Sequence, residues 1–123
     1  MKNIAIIGAS KDRTKFGNKC VRAYASKGYI VFPVNLHDDE VEGIKCYKSI
    51  LDIDEEIDIV SLYLPRSATR KILKEIISKN PKLVYFNPGT EDLNMEKSLV
   101  NEDIEIIEEC SILAIHINPR SLD

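Results

Sequence analysis

Ile4-Ala5-Ile6-Ile7-Gly8-Ala9-Ser10-Lys11-Asp12-Arg13-Thr14-Lys15-Phe16-Gly17 is the stretch that decides the fold. Ile4 to Ile7 form a short unbroken apolar run, which reads as a strand buried on both faces. Gly8 ends it and permits a tight turn and close approach to the backbone. From Gly17 to Lys27 the spacing becomes helical, with Val21, Tyr24 and Ala25 on one side and Gly28 as a stop. A buried strand, a glycine turn and a helix together open a βα unit.

The same alternation continues outward. Tyr29 to Val34 reads as a second strand that ends around Pro33, because proline cannot donate to a ladder. Asn35 to Gly43 is polar and acidic, which predicts a loop. Ser49 caps a short helix reaching Asp54. Asp58 to Leu64 is a third strand, halted by Pro65. Ser67 is the expected cap of an amphipathic helix whose apolar residues are Ala68, Ile72, Leu73, Ile76 and Ile77. Leu83 to Phe86 is the fourth strand, followed by an Asn87-Pro88-Gly89 turn. Thr90 is the expected cap of a helix with Glu91 and Asp92 in its first turn. Ile104 to Ile107 is the fifth strand, and Ile112 to Ile117 suits either a helical turn or an edge strand. Alternating strands and helices imply a parallel sheet covered on both faces. The expected fold is α/β, a three-layer Rossmann-like sandwich with a mostly parallel five-stranded sheet. It forms one domain over residues 1–123.

Composition narrows the function. The 123 residues are 44% hydrophobic and 30% charged, which excludes collagen, low-complexity sequence and wholesale disorder. No apolar run approaches the roughly 20 residues that cross a bilayer, and the N-terminal apolar part is too short for a secretory signal. No membrane role is expected. Cys20, Cys46 and Cys110 make no CxxC pair and are odd in number, which predicts reduced thiols and a cytoplasmic location. The net charge of −3 conceals six cations and one anion between Ser10 and Gly28 (Lys11, Asp12, Arg13, Lys15, Lys19, Arg22, Lys27). That segment is +5 and the remainder −8. A mostly acidic chain suits a compact anion better than a nucleic-acid backbone, so no nucleic-acid partner is expected. Lys19, Arg22 and Lys27 either serve that anion or solvate a helix face.

In a doubly wound sheet, ligands bind beyond the carboxyl ends of the strands. At the first end, Gly8, Ala9, Ser10, Arg13, Lys15, Phe16 and Gly17 form the candidate phosphate cradle. Ser10 supplies a hydroxyl, and the helix opening near Gly17 supplies backbone N–H groups. The loop lacks the GxGxxG fingerprint, which would need glycine at Ser10 and Arg13, and it lacks a P-loop lysine motif. At the second end stand Val34 and Asn35, where an NAD site wants an acid; the first acid, Asp38, lies three residues on. At the third end, Leu64 and Pro65 offer an apolar seat for a purine, and Arg66 offers charge. Asn87 to Thr90 either closes the pocket or forms only a turn and a cap, and the turn is the favoured reading.

No catalytic constellation is found. His37 is expected on a solvated surface and His116 packed in an apolar tail. The carboxylates Asp52, Asp54, Glu55, Glu56 and Asp58 straddle a helix end and a strand start, so a solvated surface is expected rather than a metal site.

At these residues the chain resembles the small stand-alone CoA-binding proteins, whose domain is similar to the N-terminal domain of the succinyl-CoA synthetase alpha subunit. The likeness rests on Gly8-Ala9-Ser10, Gly17, Gly28-Tyr29, Pro33-Val34-Asn35, Gly43, Tyr47-Lys48-Ser49-Ile50, Asp58-Ile59-Val60 and Pro65, and runs from about Ile4 to Cys110. The resemblance implies coenzyme A or acyl-CoA bound by its pyrophosphate and adenosine. Gly8, Ala9, Ser10 and Gly17 would face the pyrophosphate, Val34 and Asn35 flank the nucleotide, and Leu64 and Pro65 cover the adenine. Contact between Arg13 or Lys15 and the 3′-phosphate is an electrostatic expectation rather than part of the pattern. Leu36 stands where a second proline is common, and Glu108-Glu109-Cys110 replaces the more usual Asp-Arg-Cys. The synthetases place their phosphohistidine in a separate domain, so binding without catalysis is expected. Cys110, if it faces the pocket, can form a mixed disulfide with the CoA thiol, although an inert buried cysteine is the plainer expectation. Two other classes fit the scaffold: an NAD(P)-dependent oxidoreductase, or a nucleotide-independent interaction domain acting as a homo-oligomer or with a protein partner.

Overall fold

The computed structural model describes residues 2–123. Its elements run β1 (Asn3–Ile7), α1 (Phe16–Ser26), β2 (Ile30–Val34), β3 (Glu40–Val41), β4 (Ile44–Lys45), β5 (Ile59–Leu62), α2 (Arg66–Lys79), β6 (Leu83–Phe86), α3 (Leu93–Asn101) and β7 (Glu105–Ile107). Short 3₁₀ turns occupy Ile50–Asp52, Leu113–Ile115 and Pro119–Leu122. Five strands form one parallel sheet in the order β2-β1-β5-β6-β7. The chain leaves β1 for one edge and returns on its other side, so the strand order reverses between β1 and β5. The expected α/β three-layer Rossmann-like fold is present, and its five-stranded sheet is wholly parallel.

Strand alternation explains the two layers. Ala5, Ile7, Val60, Leu62, Val84 and Phe86 face one side and pack with Ile76 of α2 and Met95 and Leu99 of α3. Ile4, Ile6, Ile59 and Tyr85 face the other and pack with Cys20, Val21, Ala23 and Tyr24 of α1 and with Ile112. With both faces covered, Ile4 to Ile7 of β1 are all buried, and the apolar run there is unbroken.

Several local expectations change. On α1, Ala25 is exposed, and Cys20 and Ala23 complete the buried stripe with Val21 and Tyr24. The segment expected as a plain loop folds into the β3–β4 hairpin. Glu42 and Gly43 make its turn with φ of 51° and 75°, the positive angles that tight hairpins demand. Ser67 does not cap α2. The helix starts at Arg66, and the Pro65 carbonyl accepts from Ala68 N–H at 3.0 Å and Thr69 N–H at 3.1 Å. Thr90 does not cap α3 either, because its hydroxyl donates to the Asn87 carbonyl at 2.7 Å. Asp92 takes that role, accepting from Met95 N–H at 3.1 Å. This bond and the Arg70 guanidinium hold the Asp92 carboxyl below its usual range. The third strand is shorter than expected, running only Ile59–Leu62, and the Asp58 carboxylate before it accepts from Asn3 N–H at 2.9 Å. The apolar tail becomes a helical turn, and His116 is exposed at φ 63° rather than packed.

Pro33 is the penultimate residue of β2, at the strand end where the sequence placed it. β2 is an edge strand, and Tyr47 bridges to it from outside. Tyr47 N–H donates to the Pro33 carbonyl at 2.9 Å, and Asn35 N–H donates to the Tyr47 carbonyl at 3.0 Å. The Pro33 nitrogen therefore faces away from β1, where no ladder donor is required.

Beneath α1 a buried polar network replaces apolar packing. Asn87 donates to Ser61 Oγ and to the Leu62 carbonyl, each at 2.8 Å, and accepts from Ser111 N–H at 2.8 Å. Tyr24 donates to the Ser111 carbonyl at 2.7 Å. Burial pushes the neighbouring Cys20 thiol up to about 11. Asn87 is thus a structural clamp between β5, β6 and the C-terminal segment. Asn87→Ala would orphan Ser111 N–H and a Ser61 partner, at about 1–3 kcal/mol for each buried group. We expect a lowered melting temperature and early amide exchange across residues 111–123; unchanged exchange there would refute the clamp.

A second constraint sits at the start of α1. A Cβ added at Gly17 would lie 2.2 Å from the Gly8 carbonyl oxygen, a backbone atom that cannot step aside. Gly17→Ala is expected to destabilise the fold by roughly 2–3 kcal/mol, the scale of overpacking. Chemical denaturation checks this, and an unchanged midpoint would show that α1 can withdraw at little cost.

Candidate functional site

The reversal in strand order opens a cleft of about 830 Å³ beyond the carboxyl ends of β1, β2, β5 and β6. This lies within the roughly 300–1,000 Å³ range of small-molecule sites. Gly8, Ala9, Ser10, Lys15, Phe16, Gly17, Val34, Asn35, Leu64 and Pro65 all line it, so ten of the twelve residues expected from sequence converge. Arg13 and Arg66 do not line it. Arg13 pairs with Glu42 of the hairpin turn at 3.4 Å. Arg66 donates to the Glu91 carbonyl, tying α2 to the segment before α3.

The first loop is held from behind. Buried Asn18 donates to the Ser10 carbonyl at 2.9 Å and to the Glu42 carboxylate at 3.1 Å, and accepts from Arg22 at 2.8 Å. Ser10 Oγ accepts from Asp12 N–H at 3.0 Å, which leaves its own O–H free to donate. Asp12 is acidified by Thr14, whose hydroxyl and backbone N–H both donate to it. α1 then begins at Phe16, its N-cap residue Lys15 giving no side-chain cap and its first turn holding no acid. Its first N–H groups and its dipole therefore point unscreened toward the cleft, the arrangement that suits a phosphate.

The opposite wall is apolar. Leu64, Pro65, Ala68 and Ile72 line it; Tyr63 also borders the cleft, and its hydroxyl contacts Ser111 Oγ at 3.2 Å in the buried network. Phe16 stands at the mouth, 53% exposed, with Lys19 Nζ 5.2 Å from its ring centroid.

At the end of β2, Asn35 serves as a buckle. Its amide donates to the Ala9 carbonyl at 2.7 Å and to Asp38 Oδ2 at 2.8 Å, and its oxygen accepts from His37 and Asp38 N–H at 2.7 Å. Asn35 therefore joins the first loop to the second.

The basic segment is largely committed elsewhere. Lys19 pairs with Asp123, and Arg22 donates to the Leu122 carbonyl at 3.0 Å, so both fasten the C-terminal turn to α1. Lys15 alone among the six cations lines the cleft. Lys48 and Lys71, unforeseen from sequence, also line it. Lys71 was legible in principle: Ala68, Lys71 and Ile72 share one helical face directly after a strand end. Lys48 had no local signal, because only the hairpin's return brings it there. Exposed His37 lines the rim. Cys110 packs with the α1-side core and is not among the lining residues, which removes the geometric basis for a mixed disulfide with a ligand in this cleft. All three cysteines are unpaired. Among the described residues no helix is long and apolar enough to cross a membrane.

Comparison with known proteins agrees with this geometry. The family model described as a CoA binding domain matches residues 2–117. An ADP-forming acetate–CoA ligase of Methanocaldococcus jannaschii is 38% identical over 81 residues, covering 66% of this chain and 12% of the ligase. The alpha subunit of an ADP-forming acetate–CoA ligase II of Pyrococcus furiosus is 34% identical over 106 residues, covering 80% of this chain and 23% of the subunit. The chain thus spans between about a tenth and a quarter of these curated relatives. A hypothetical protein from Pyrococcus horikoshii OT3 superimposes with a TM-score of 0.89 at 31% identity, covering 94% of this chain and 82% of that one. With the family match running over nearly its whole length, the chain belongs to the CoA binding domain family.

Proposed function

We propose that the chain binds coenzyme A or an acyl-CoA in the strand-end cleft, by its pyrophosphate and adenosine, and carries out no bond-breaking step there. One observation carries the reading: the uncapped start of α1, the Ser10 hydroxyl and Lys15 lie opposite the apolar wall of Leu64 and Pro65 in one cleft. A diphosphate suits the first wall and a purine the second. Family membership supports the same ligand. Activity as part of a ligase would need the remaining length that the matched relatives possess. Three unpaired thiols and a CoA-class ligand fit a cytoplasmic setting.

A ligand at a hundredfold over its Kd stabilises by about 2.7 kcal/mol, a melting shift on the order of 10 °C for a domain of this size. We expect such shifts from CoA and dephospho-CoA. A rise with NAD larger than with either CoA compound would replace the reading with a dinucleotide enzyme. No rise with any nucleotide would leave an interaction domain.

The double substitution Ser10→Ala with Lys15→Ala tests the cradle. It removes two contacts to phosphate, each worth about 1.5–3 kcal/mol for a charged partner, so calorimetry should show at least about tenfold weaker CoA binding. Neither side chain packs in the core, so the unliganded melting temperature should hold. Unchanged affinity would move the pyrophosphate elsewhere.

A further inference from the structure

Arg22 lies on α1 outside the cleft, yet its guanidinium reaches the phosphate loop. Its Nε donates to Asn18 Oδ1 at 2.8 Å. Its Nη2 donates to two carbonyls at 3.0 Å each, that of Arg13 in the loop and that of Leu122 in the C-terminal turn. An amide whose oxygen is held in this way has its nitrogen turned the other way. Asn18 Nδ2 accordingly meets the Ser10 carbonyl at 2.9 Å and the Glu42 carboxylate at 3.1 Å. One guanidinium thus anchors the loop directly at Arg13 and, through Asn18, at Ser10.

The loop needs such anchors. Lys11 to Phe16 are all exposed, so little apolar packing holds them. Apart from Lys11 N–H on Asp38 and the Arg13 side chain on Glu42, the remaining bonds are local ones among Ser10, Asp12, Thr14 and Lys15. With the Ser10 and Arg13 carbonyls drawn back to α1, the N–H groups of Ala9 and Ser10 have no protein acceptor among the described residues. The C-terminal turn, Pro119–Leu122, is gripped a second time by Lys19, three residues before Arg22 on the same face of α1. Lys19 pairs with Asp123, and its Nζ lies 5.2 Å from the ring centroid of Phe16, which lines the cleft. Both side chains therefore join one turn, itself outside the cleft, to parts of the cleft.

We propose that Arg22 is a positioning residue for the phosphate loop and that it couples CoA binding to the docking of the C-terminal turn. This rests on the cleft being the CoA site, and it adds how that site is held ready. Every loop residue that must be ordered at the moment of binding subtracts from affinity. Arg22 orders the loop beforehand and leans on the Leu122 carbonyl to do so. Its role is geometric. Its partners are two carbonyls and an amide, while Glu42 and Asp123, the acids at either end of the network, pair with Arg13 and Lys19.

Calorimetric titration of the whole chain with CoA, before and after Arg22→Ala and Arg22→Lys, tests the proposal. Lysine keeps the charge and the packed stem, and it covers the case in which alanine unfolds the chain. It lacks the planar fork that spans Asn18, Arg13 and Leu122 together. Both variants should bind CoA about tenfold more weakly, the scale of one or two lost hydrogen bonds. Wild-type affinity in a folded variant overturns the proposal, and so does full rescue by lysine, which would make the role one of charge. Amide exchange reads the coupling from its other end, because linkage is reciprocal. Saturating CoA should slow exchange at Arg120, Ser121 and Asp123, whose N–H groups are bonded within the turn. In the variants, CoA at saturation should no longer change it. A merely structural arginine would leave that response in place, which overturns the proposal while the CoA site stands. A wild-type chain that binds no CoA overturns the site and the proposal with it.

Discussion

The contact between Gly17 and the Gly8 carbonyl sets the geometry on which the rest relies. It brings the first turn of α1 against the end of β1 with no side chain between them. The helix dipole and its free N–H groups therefore meet the cleft at the reversal of the sheet rather than open solvent. Gly8 is constrained from the other side as well, since a Cβ there would lie 3.0 Å from the Tyr63 backbone. Two glycines thus pack β1 against both its successor helix and the end of β5. The cradle is a by-product of that packing, and its phosphate chemistry comes at no cost in side-chain volume.

Around this contact, charge is distributed by the fold rather than by proximity in sequence. A run of cations looked like a collective anion site. In three dimensions Arg13 is neutralised by the hairpin, and Lys19 and Arg22 hold the C-terminal turn. The cleft receives Lys15 from that run, and Lys48 and Lys71 from distant segments. Exposed ion pairs such as Arg13–Glu42 contribute little to stability, typically below about 1 kcal/mol. Their value is in placement: Arg13 and Asn18 both engage Glu42, which fixes the loop against the hairpin.

The architecture was legible because the strands are buried on both faces and announce themselves as unbroken apolar runs. The candidate site was legible where a residue type answers a backbone need, as at Gly8, Gly17 and Pro65. What escaped was long-range or reciprocal. The hairpin escaped because an acidic stretch with one glycine carries no periodicity, and its turn uses Glu42 at a positive φ. The caps escaped for different reasons: the Thr90 hydroxyl is taken by the Asn87 carbonyl and Asp92, a stronger cap former two residues on, replaces it, while α2 opens at Pro65 with no side-chain cap at all. Asn87 itself looked like a turn residue. It is one, but nothing adjacent in sequence discloses partners on β5 and in the C-terminal segment. Arg66 was counted for the cleft because it follows Pro65, yet as the first helical residue it points across to the loop before α3.

The two margins of the sheet carry a final consequence. On one margin, Tyr47 occupies the outward-facing groups of Pro33 and Asn35, and the Pro33 nitrogen has no hydrogen to offer. On the other, β7 is three residues long. An unprotected margin would be a template on which a stray strand could grow, the first step toward fibrils. Here one template is blunted by an imino acid and a bridging tyrosine, and the other is too brief to seed a ladder. Strand-on-strand growth between copies is therefore disfavoured at both margins of the sheet.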